Sequence, residues 1–494
     1  MKRKNIWTLF FILVITFIFP ASASAAKNFY TYTYDYWGDE RESPDAYVPG
    51  IVLMGQDLGT INLREPQGMF VKENKVYIAD SGNNRIIIAE KTNQGFQLYG
   101  IIESFVLEGE KSTLSYPQDV FVKENGDIYI CDTNNQRVLH LDKNLNFIKQ
   151  IAKPKDETIE GTSEFLVQKL VVDDANRVYV LVKNVNKGLM EFDSEGTFTG
   201  YIGANKVIAN ITDYIWKSIS TKAQRAQMEL FVPTEYNNVA LDKEGFIYTT
   251  TSTLDNKDIY TGTATPIRKL NSMGTDILIR NGFHPPIGDI YWGKAGGING
   301  PSRLIDIVPL ENDSYSAIDR VRGRIFTYDS QGNLLYAFGG LGNKTGYFQY
   351  PSAIEAMGDS LLVLDYRSGT IQELLITEYG KLINQGLALY QKGRYEESAE
   401  KWEEVLKLNG NYDLAYVGIG RSLLRQGEYK KAMEYFKLKM DFKNYSKAYK
   451  FYRKQWIEEN IAWIILGLVL LYILPKIKRL IVKIIMLRKT EVER

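Results

Sequence analysis

From about residue 50 to 376, short apolar runs alternate with clusters of Gly, Asn, Asp and Pro. The runs favour Val, Ile, Tyr and Phe, and the turn residues recur at short intervals. That pattern predicts many short strands. Near residue 378 it changes to Ala, Leu, Glu and Lys at helical spacing, which predicts amphipathic helices to about 455. Two further stretches, 6–19 and 456–474, are almost wholly apolar.

Within the strand-rich body two segments repeat closely. PQGMFVKENKVYIADSGNNRIIIAE starts at Pro66, and PQDVFVKENGDIYICDTNNQRVLHLD starts at Pro117, 51 residues on. Each reads as strand, tight turn, strand ending in Asp, polar loop, strand. Weaker copies begin at Val171 and Asn237, a degenerate one runs through 316–324 into RIFTYDSQGNLLYAFGG, and the last begins at Pro351. One such unit cannot bury both its faces, whereas a radial array of them can. Asp80 with Asn84 and Arg85, and Asp132 with Gln136 and Arg137, carry the strongest pattern. Asp319 with Arg324 shows the same five-residue offset, and Asp365 has Thr370 where the Arg would stand. These residues resemble the NHL-repeat family of six-bladed β-propellers over roughly 50–376. The fold implied is mainly β, with residues 27–49 supplying a strand that closes the ring. The aspartates are expected to be structural, accepting hydrogen bonds from amides of the loop that follows, with each Arg lying across the neighbouring blade.

In the helical stretch, Gly386 and Gly420, Gly393 and Gly427, Tyr395 and Tyr429, Ser398 and Ala432, and Trp402 and Phe436 all stand 34 residues apart. That period and those residues resemble the tetratricopeptide (TPR) family. The resemblance, over about 378–455, implies a small stack of antiparallel helices. Tyr395 and Tyr429 would fill the gap between helices, with Trp402 and Phe436 packed across it. A further helix at about 444–456 would cap the stack.

The two apolar stretches set an expected topology. Residues 1–26 run from Lys2, Arg3 and Lys4 through the apolar stretch to Ala21–Ala26, the order of an export signal. Residues 456–475 read as a transmembrane helix, short in its most apolar part but extended by Trp456 upstream and by snorkelling Lys476 and Lys478 downstream. Glu458 and Glu459 precede its most apolar part, Ile461–Leu474, while Lys476, Lys478, Arg479 and Lys483 follow. That asymmetry places the 476–494 tail in the cytoplasm and the body outside a bacterial cytoplasmic membrane. The basic and apolar tail is suited to lie along the inner leaflet.

Composition narrows the chemistry. Sixty Lys and Arg balance 59 Asp and Glu, for a net charge of +1, which argues against nucleic acid as a partner. One cysteine, Cys131, allows no internal disulfide, and its strand position predicts a buried inert thiol. Two histidines, His140 and His284, cannot build a histidine-rich zinc site. No nucleophile elbow, phosphate-binding loop or HExxH occurs, so no catalytic residue, metal site or cofactor is assigned. Two insertions, 205–235 and 282–303, are the expected binding elements. Trp216, Arg225 and Tyr236 are candidates in or beside the first. His284, Tyr291, Trp292 and Arg303 are candidates in the second, where aromatics beside glycines suit a sugar or peptide.

The function expected is a membrane-anchored extracytoplasmic binding or scaffold protein with a protein, peptide or glycan partner. An accessory subunit of a transporter or envelope-assembly complex is its concrete form. Alternatives are a surface lyase or lactonase-like enzyme acting on carbohydrate or a modified peptide, and a passive spacer.

Overall fold

The computed structural model describes residues 29–107, 109–155, 164–204, 235–251, 253–291 and 300–492. The expected export signal lies outside them. The chain divides into two compact units, Met1–Lys381 and Leu382–Arg494.

The first unit is a six-bladed β-propeller. Its inner strands are Gly68–Lys72, Pro117–Val122, Val167–Val172, Asn238–Leu241, Leu304–Pro309 and Pro351–Met357, beginning blades one to six in chain order. Each blade is an antiparallel meander, and its apolar alternation buries both faces against its neighbours. Ile78, Val76 and Ile87 of blade one pack on Leu362, Leu364 and Ile371 of blade six, which closes the circle of cores. The seal is covalently distant: the outer strand of blade six is Tyr47–Leu53, paired antiparallel to Thr370–Ile376. The closing strand therefore straddles the boundary at residue 50 drawn from the sequence.

The repeating aspartates are buried ties. Asp80 accepts hydrogen bonds from the Arg64 amide at 2.7 Å and Asn83 Nδ2 at 2.9 Å, and pairs with Arg85 Nε at 2.7 Å. Asp132 repeats the set with Ser115, Asn135 and Arg137. Their upstream amides belong to the loop that leads into the blade, so each carboxylate fixes that loop as well as the one that follows. Asp365 accepts from the amides of Gln349, Tyr350, Arg367 and Ser368. Blade five departs from the expected pattern. Arg324 lies over the rings of Tyr30 and Tyr32 and donates to the Gly339 carbonyl, and Arg322 stands 3.6 Å from Asp319 instead. The cause is an N-terminal arm: Tyr32–Tyr34 and Glu40–Glu42 extend blade five to six strands and draw the guanidinium outward.

Blade four has three regular strands, ending at Ile267–Leu270. Its outer edge is continued by an isolated bridge from Leu270 to Asp276 and by the Ile277 amide donating to the Lys269 carbonyl, with side-chain bonds from the Lys269 amide to Asp276 and from Arg280 to the Ile267 carbonyl. A short helix, α1 (Asn256–Thr261), sits in the preceding loop.

The second unit is helical: α2 (Glu378–Gln391), α3 (Tyr395–Leu408), α4 (Asp413–Gln426), α5 (Tyr429–Leu438) and α6 (Phe442–Val492). The glycines at the repeat positions are spaces for rings. A Cβ on Gly386 would sit 2.9 Å from the Trp402 ring, on Gly418 2.5 Å from Trp402 Nε1, and on Gly420 2.7 Å from the Phe436 ring. Gly427 ends α4 in the left-handed conformation at φ 87°, where a side chain is strained. Tyr395 packs on Tyr390 at a tilt of 60°, and Tyr429 stacks on Phe451. Gly418→Ala is expected to destabilise this unit by about 1–3 kcal/mol through overpacking against Trp402. Thermal unfolding of the full-length protein in detergent, followed at the helical CD band, checks this; an unchanged midpoint would remove the close-packing explanation.

The capping helix and the apolar span are one element. Ala448 of α6 is buried against Val417, Ala432 and Phe436, and the same helix runs on through 456–474 and past Pro475. The stretch Phe442–Met486 is long and apolar enough to cross a membrane, and its most apolar window is not buried within the protein. Nineteen residues from Trp456 to Leu474 rise about 28 Å at 1.5 Å each, close to a hydrocarbon core of about 30 Å.

Candidate functional site

Because each blade is a meander, its loops fall on two faces. One face carries tight turns, such as 73–74, 123–127, 242–246 and 358–359, and the part of the 271–303 connection whose Asn281 and Gly282 amides donate to the Gln331 carbonyl. The other carries 251–266 with α1 and the described ends of 203–237, whereas 271–303 leaves blade four on the first face and reaches the start of blade five on the second. The inner strands start from this loop face, and the channel opens there.

Two or three residues in from that face, the channel is polar. Gly68, Asp119, Lys169, Asn238, Asp306 and Ala353 occupy the same register position of the six inner strands, opposite Ala79, Cys131, Leu181, Thr250, Ile318 and Leu364. Glu355 lies two residues further along blade six. Lys169 Nζ stands 3.4 Å from Asp119 Oδ1. Asp119 also accepts from the Leu170 amide at 3.1 Å. Asp306 accepts from the Ile307 and Ile354 amides, each at 2.8 Å, and from Asn238 Nδ2. Four of these contacts cross between blades. A Cβ on Gly68 would come within 2.5 Å of Asp119 Oδ1, so the glycine of blade one makes room for the carboxylate of blade two.

The electrostatics follow from burial around one cation. Burial raises Asp119, with Lys169 and backbone amides opposing it. Burial pushes Asp306 up to about 6. Burial and the neighbouring Asp306 hold Glu355 well above the usual carboxylate range. Burial alone would lower the Lys169 ammonium, but Asp119, Asp306 and Glu355 together raise it. Lys169 is therefore charged, and it compensates a cluster that would otherwise repel itself. Among the described residues no group of three or more His, Cys, Asp or Glu is placed to hold a metal ion. The cluster is a charge-compensated lock across the axis, its acceptors engaged by amides, Asn238 and Lys169.

The candidates named from sequence fall in different places. Trp216, Arg225 and Trp292 lie outside the described residues, as does the side chain of Tyr291. Tyr236 is buried in the core between blades three and four, and its hydroxyl donates to the Gly203 carbonyl. His284 lies edge-on to Tyr34 with Nε2 3.0 Å from the Asp35 carbonyl oxygen. Beside it, Asp289 accepts from the hydroxyls of Tyr32 and Tyr34. The described part of the second insertion thus clamps the N-terminal arm. Arg303 is exposed on the loop face, and its carbonyl accepts from the Arg320 amide at 3.1 Å. Cys131 is fully buried, and burial pushes its thiol up.

Sequence reasoning missed the axial cluster and two further loop-face residues, Arg320 and Arg367. The Arg320 guanidinium sits 4.7 Å from the centre of the Tyr350 ring and that of Arg367 5.9 Å from the same ring.

Comparison with known proteins agrees with this architecture. Residues 114–141 match the NHL repeat family, and residues 383–439 match the tetratricopeptide repeat family. No curated protein matches the chain. Among solved structures, virginiamycin B lyase from Staphylococcus aureus is 11% identical with a TM-score of 0.41, covering 67% of this chain and 100% of its own. A streptogramin B lyase is 12% identical with a TM-score of 0.39, over 67% and 100%. Kuenenia stuttgartiensis hydrazine synthase is 10% identical with a TM-score of 0.37, over 70% and 95%. Likeness at this level does not bear on chemistry.

Proposed function

We propose that this protein is a membrane-anchored extracytoplasmic scaffold that presents a propeller as a binding module for a partner protein. The observation that carries the reading is α6: one helix packs into the repeat stack at Ala448 and then continues as the exposed apolar stretch. A binding stack built onto a span is a tethered adaptor, and tethering raises the local concentration of whatever it binds. Propellers and TPR stacks are commonly protein-interaction modules. The concrete form we favour is an accessory subunit of a transporter or envelope-assembly complex.

The orientation rests on the export signal more than on the flanks of the span. Lys443, Lys447, Lys450, Arg453 and Lys454 precede it, and Lys476, Lys478, Arg479, Lys483, Arg488 and Lys489 follow it, five against six. Counted as basic residues alone, the flanks barely differ. The enzymatic alternative is disfavoured by the engagement of the axial carboxylates with amides and Lys169.

The test is fractionation of cells carrying the full-length protein, followed by protease treatment of intact cells. The expected result is a membrane pellet resistant to carbonate extraction, with the propeller cut by external protease. A freely soluble protein, or a propeller protected while an exposed control is cut, would overturn the reading.

A further inference from the structure

Two arginine guanidiniums meet at one tyrosine on the loop face where blade five hands over to blade six, and a third arginine, Arg303, is exposed beside them with its backbone bonded to Arg320. Arg303 ends the second insertion, and its carbonyl holds the amide of Arg320. Arg320 lies over the Tyr350 ring, Nη1 donates to the Tyr350 hydroxyl at 3.3 Å, and its Nε is buried without a hydrogen-bond partner. Arg367 approaches the same ring from the loop of blade six. Tyr366 packs on Tyr350 with ring centres 5.5 Å apart, and its amide donates to the Tyr350 carbonyl.

The charges here are not balanced locally. The ion pairs of the described residues include none for Arg303, Arg320 or Arg367, although Arg85, Arg137 and Arg177 on other blades each have a carboxylate. The nearest repeat aspartates are committed elsewhere. Asp319 Oδ1 accepts from the Arg303 and Val321 amides while its buried Oδ2 stands 3.6 Å from Arg322 Nη1, and Asp365 accepts from four amides. Two guanidiniums share one tyrosine ring with no anion between them. Cation–π contact offsets part of that repulsion and leaves the donors unmatched.

We propose that the patch formed by Arg303, Arg320, Arg367 and Tyr350 binds an acidic segment of a partner protein. Carboxylates of that segment accept paired N–H bonds from the guanidiniums, the geometry for which arginine is better suited than lysine. Arginine clusters of this kind read acidic motifs, and Tyr and Arg together form the anchors of protein interfaces. A glycan fits less well: sugar recognition needs an open aromatic face, and both guanidiniums lie against the Tyr350 ring. The inference deepens the partner-protein reading and rests on it, but not on the membrane anchor. If fractionation shows the protein to be soluble, the anchored-scaffold reading fails while this binding remains measurable.

The test uses full-length protein in nanodiscs of phosphatidylcholine, a neutral lipid that does not compete for the patch. The probe is a fluorescein-labelled octapeptide of alternating Glu and Ala, with the matched Lys and Ala peptide and an oligogalacturonate as comparisons. The expected result is saturable binding of the acidic peptide that weakens steeply with salt. Arg367→Gln and Arg303→Gln, both at exposed positions, should each weaken it at least fivefold. Arg320→Lys should weaken it about tenfold while leaving the unfolding midpoint in place. Unchanged affinity in the Arg303→Gln, Arg367→Gln double variant overturns the assignment. So does binding of the oligogalacturonate without the peptide.

Discussion

Lys169→Met is expected to lower the unfolding free energy of the propeller by about 3–5 kcal/mol at pH 8, the usual cost of leaving buried charge uncompensated. Asp119, Asp306 and Glu355 come from blades two, five and six and meet Lys169 of blade three at the axis. Without the ammonium they face one another. The pH dependence distinguishes this from a packing defect. Asp306 is raised from 3.8 to about 6, and Asp119 and Glu355 are raised as well. A carboxyl with a higher pKa folded than unfolded holds more protons in the folded state, so its contribution to stability grows as pH falls. For Asp306 the gain between pH 8 and pH 4 is roughly 3 kcal/mol. The raised Lys169 ammonium has the same sign, and its contribution, present in full at neutral pH, is lost only as the solution becomes strongly alkaline. The deficit of Lys169→Met should therefore shrink between pH 8 and pH 5, as the acids take up protons. Urea unfolding of the full-length protein in detergent at the two pH values checks it. An equal deficit at both would mean that the four groups are not coupled.

Asp132→Ala is expected to cost a similar amount, about 3–5 kcal/mol. Removing this carboxylate leaves the Arg137 guanidinium without its ion pair and the Ser115 amide without an acceptor, both inside the fold. The same change at Asp319 should cost less. Arg324 has already turned to the tyrosines of the N-terminal arm, and Arg322 stands 3.6 Å away. The contrast between the two variants, read from unfolding midpoints under one condition, is the decisive measurement. Equal losses would show that the amide bonds alone carry the stabilisation and that the arginine contributes nothing.

The parts of the fold that were legible in the sequence are those with local spacing. Asp80 and Arg85 stand five residues apart and touch. The Trp402 and Phe436 positions recur because each needs a glycine beneath its ring on a neighbouring helix. The axial cluster was illegible for the opposite reason. One register position carries Gly, Asp, Lys, Asn, Asp and Ala around the ring, so a search for repetition passes over it. Only the change from PQG at Pro66 to PQD at Pro117 hinted that the position was free to vary. The described part of the insertion around His284 has a structural role that the sequence did not announce. Its aromatic and polar side chains are suited to a ligand, and the tyrosines they meet lie some 250 residues upstream on a strand whose docking no local pattern announces. The loop-face arginines were half visible: Arg303 stood out beside its glycines, while Arg320 and Arg367 sat in degenerate repeats where nothing marked them.

The strand Tyr47–Leu53 and its mate Thr370–Ile376 have a bearing on biogenesis. In a chain exported from its N-terminus, the first half of the clasp reaches the far side of the membrane early and waits, unpaired, while five blades emerge. On the proposed topology the apolar stretch of α6 is translated only after the second half, so translocation is not arrested until every piece of the circle is on the same side.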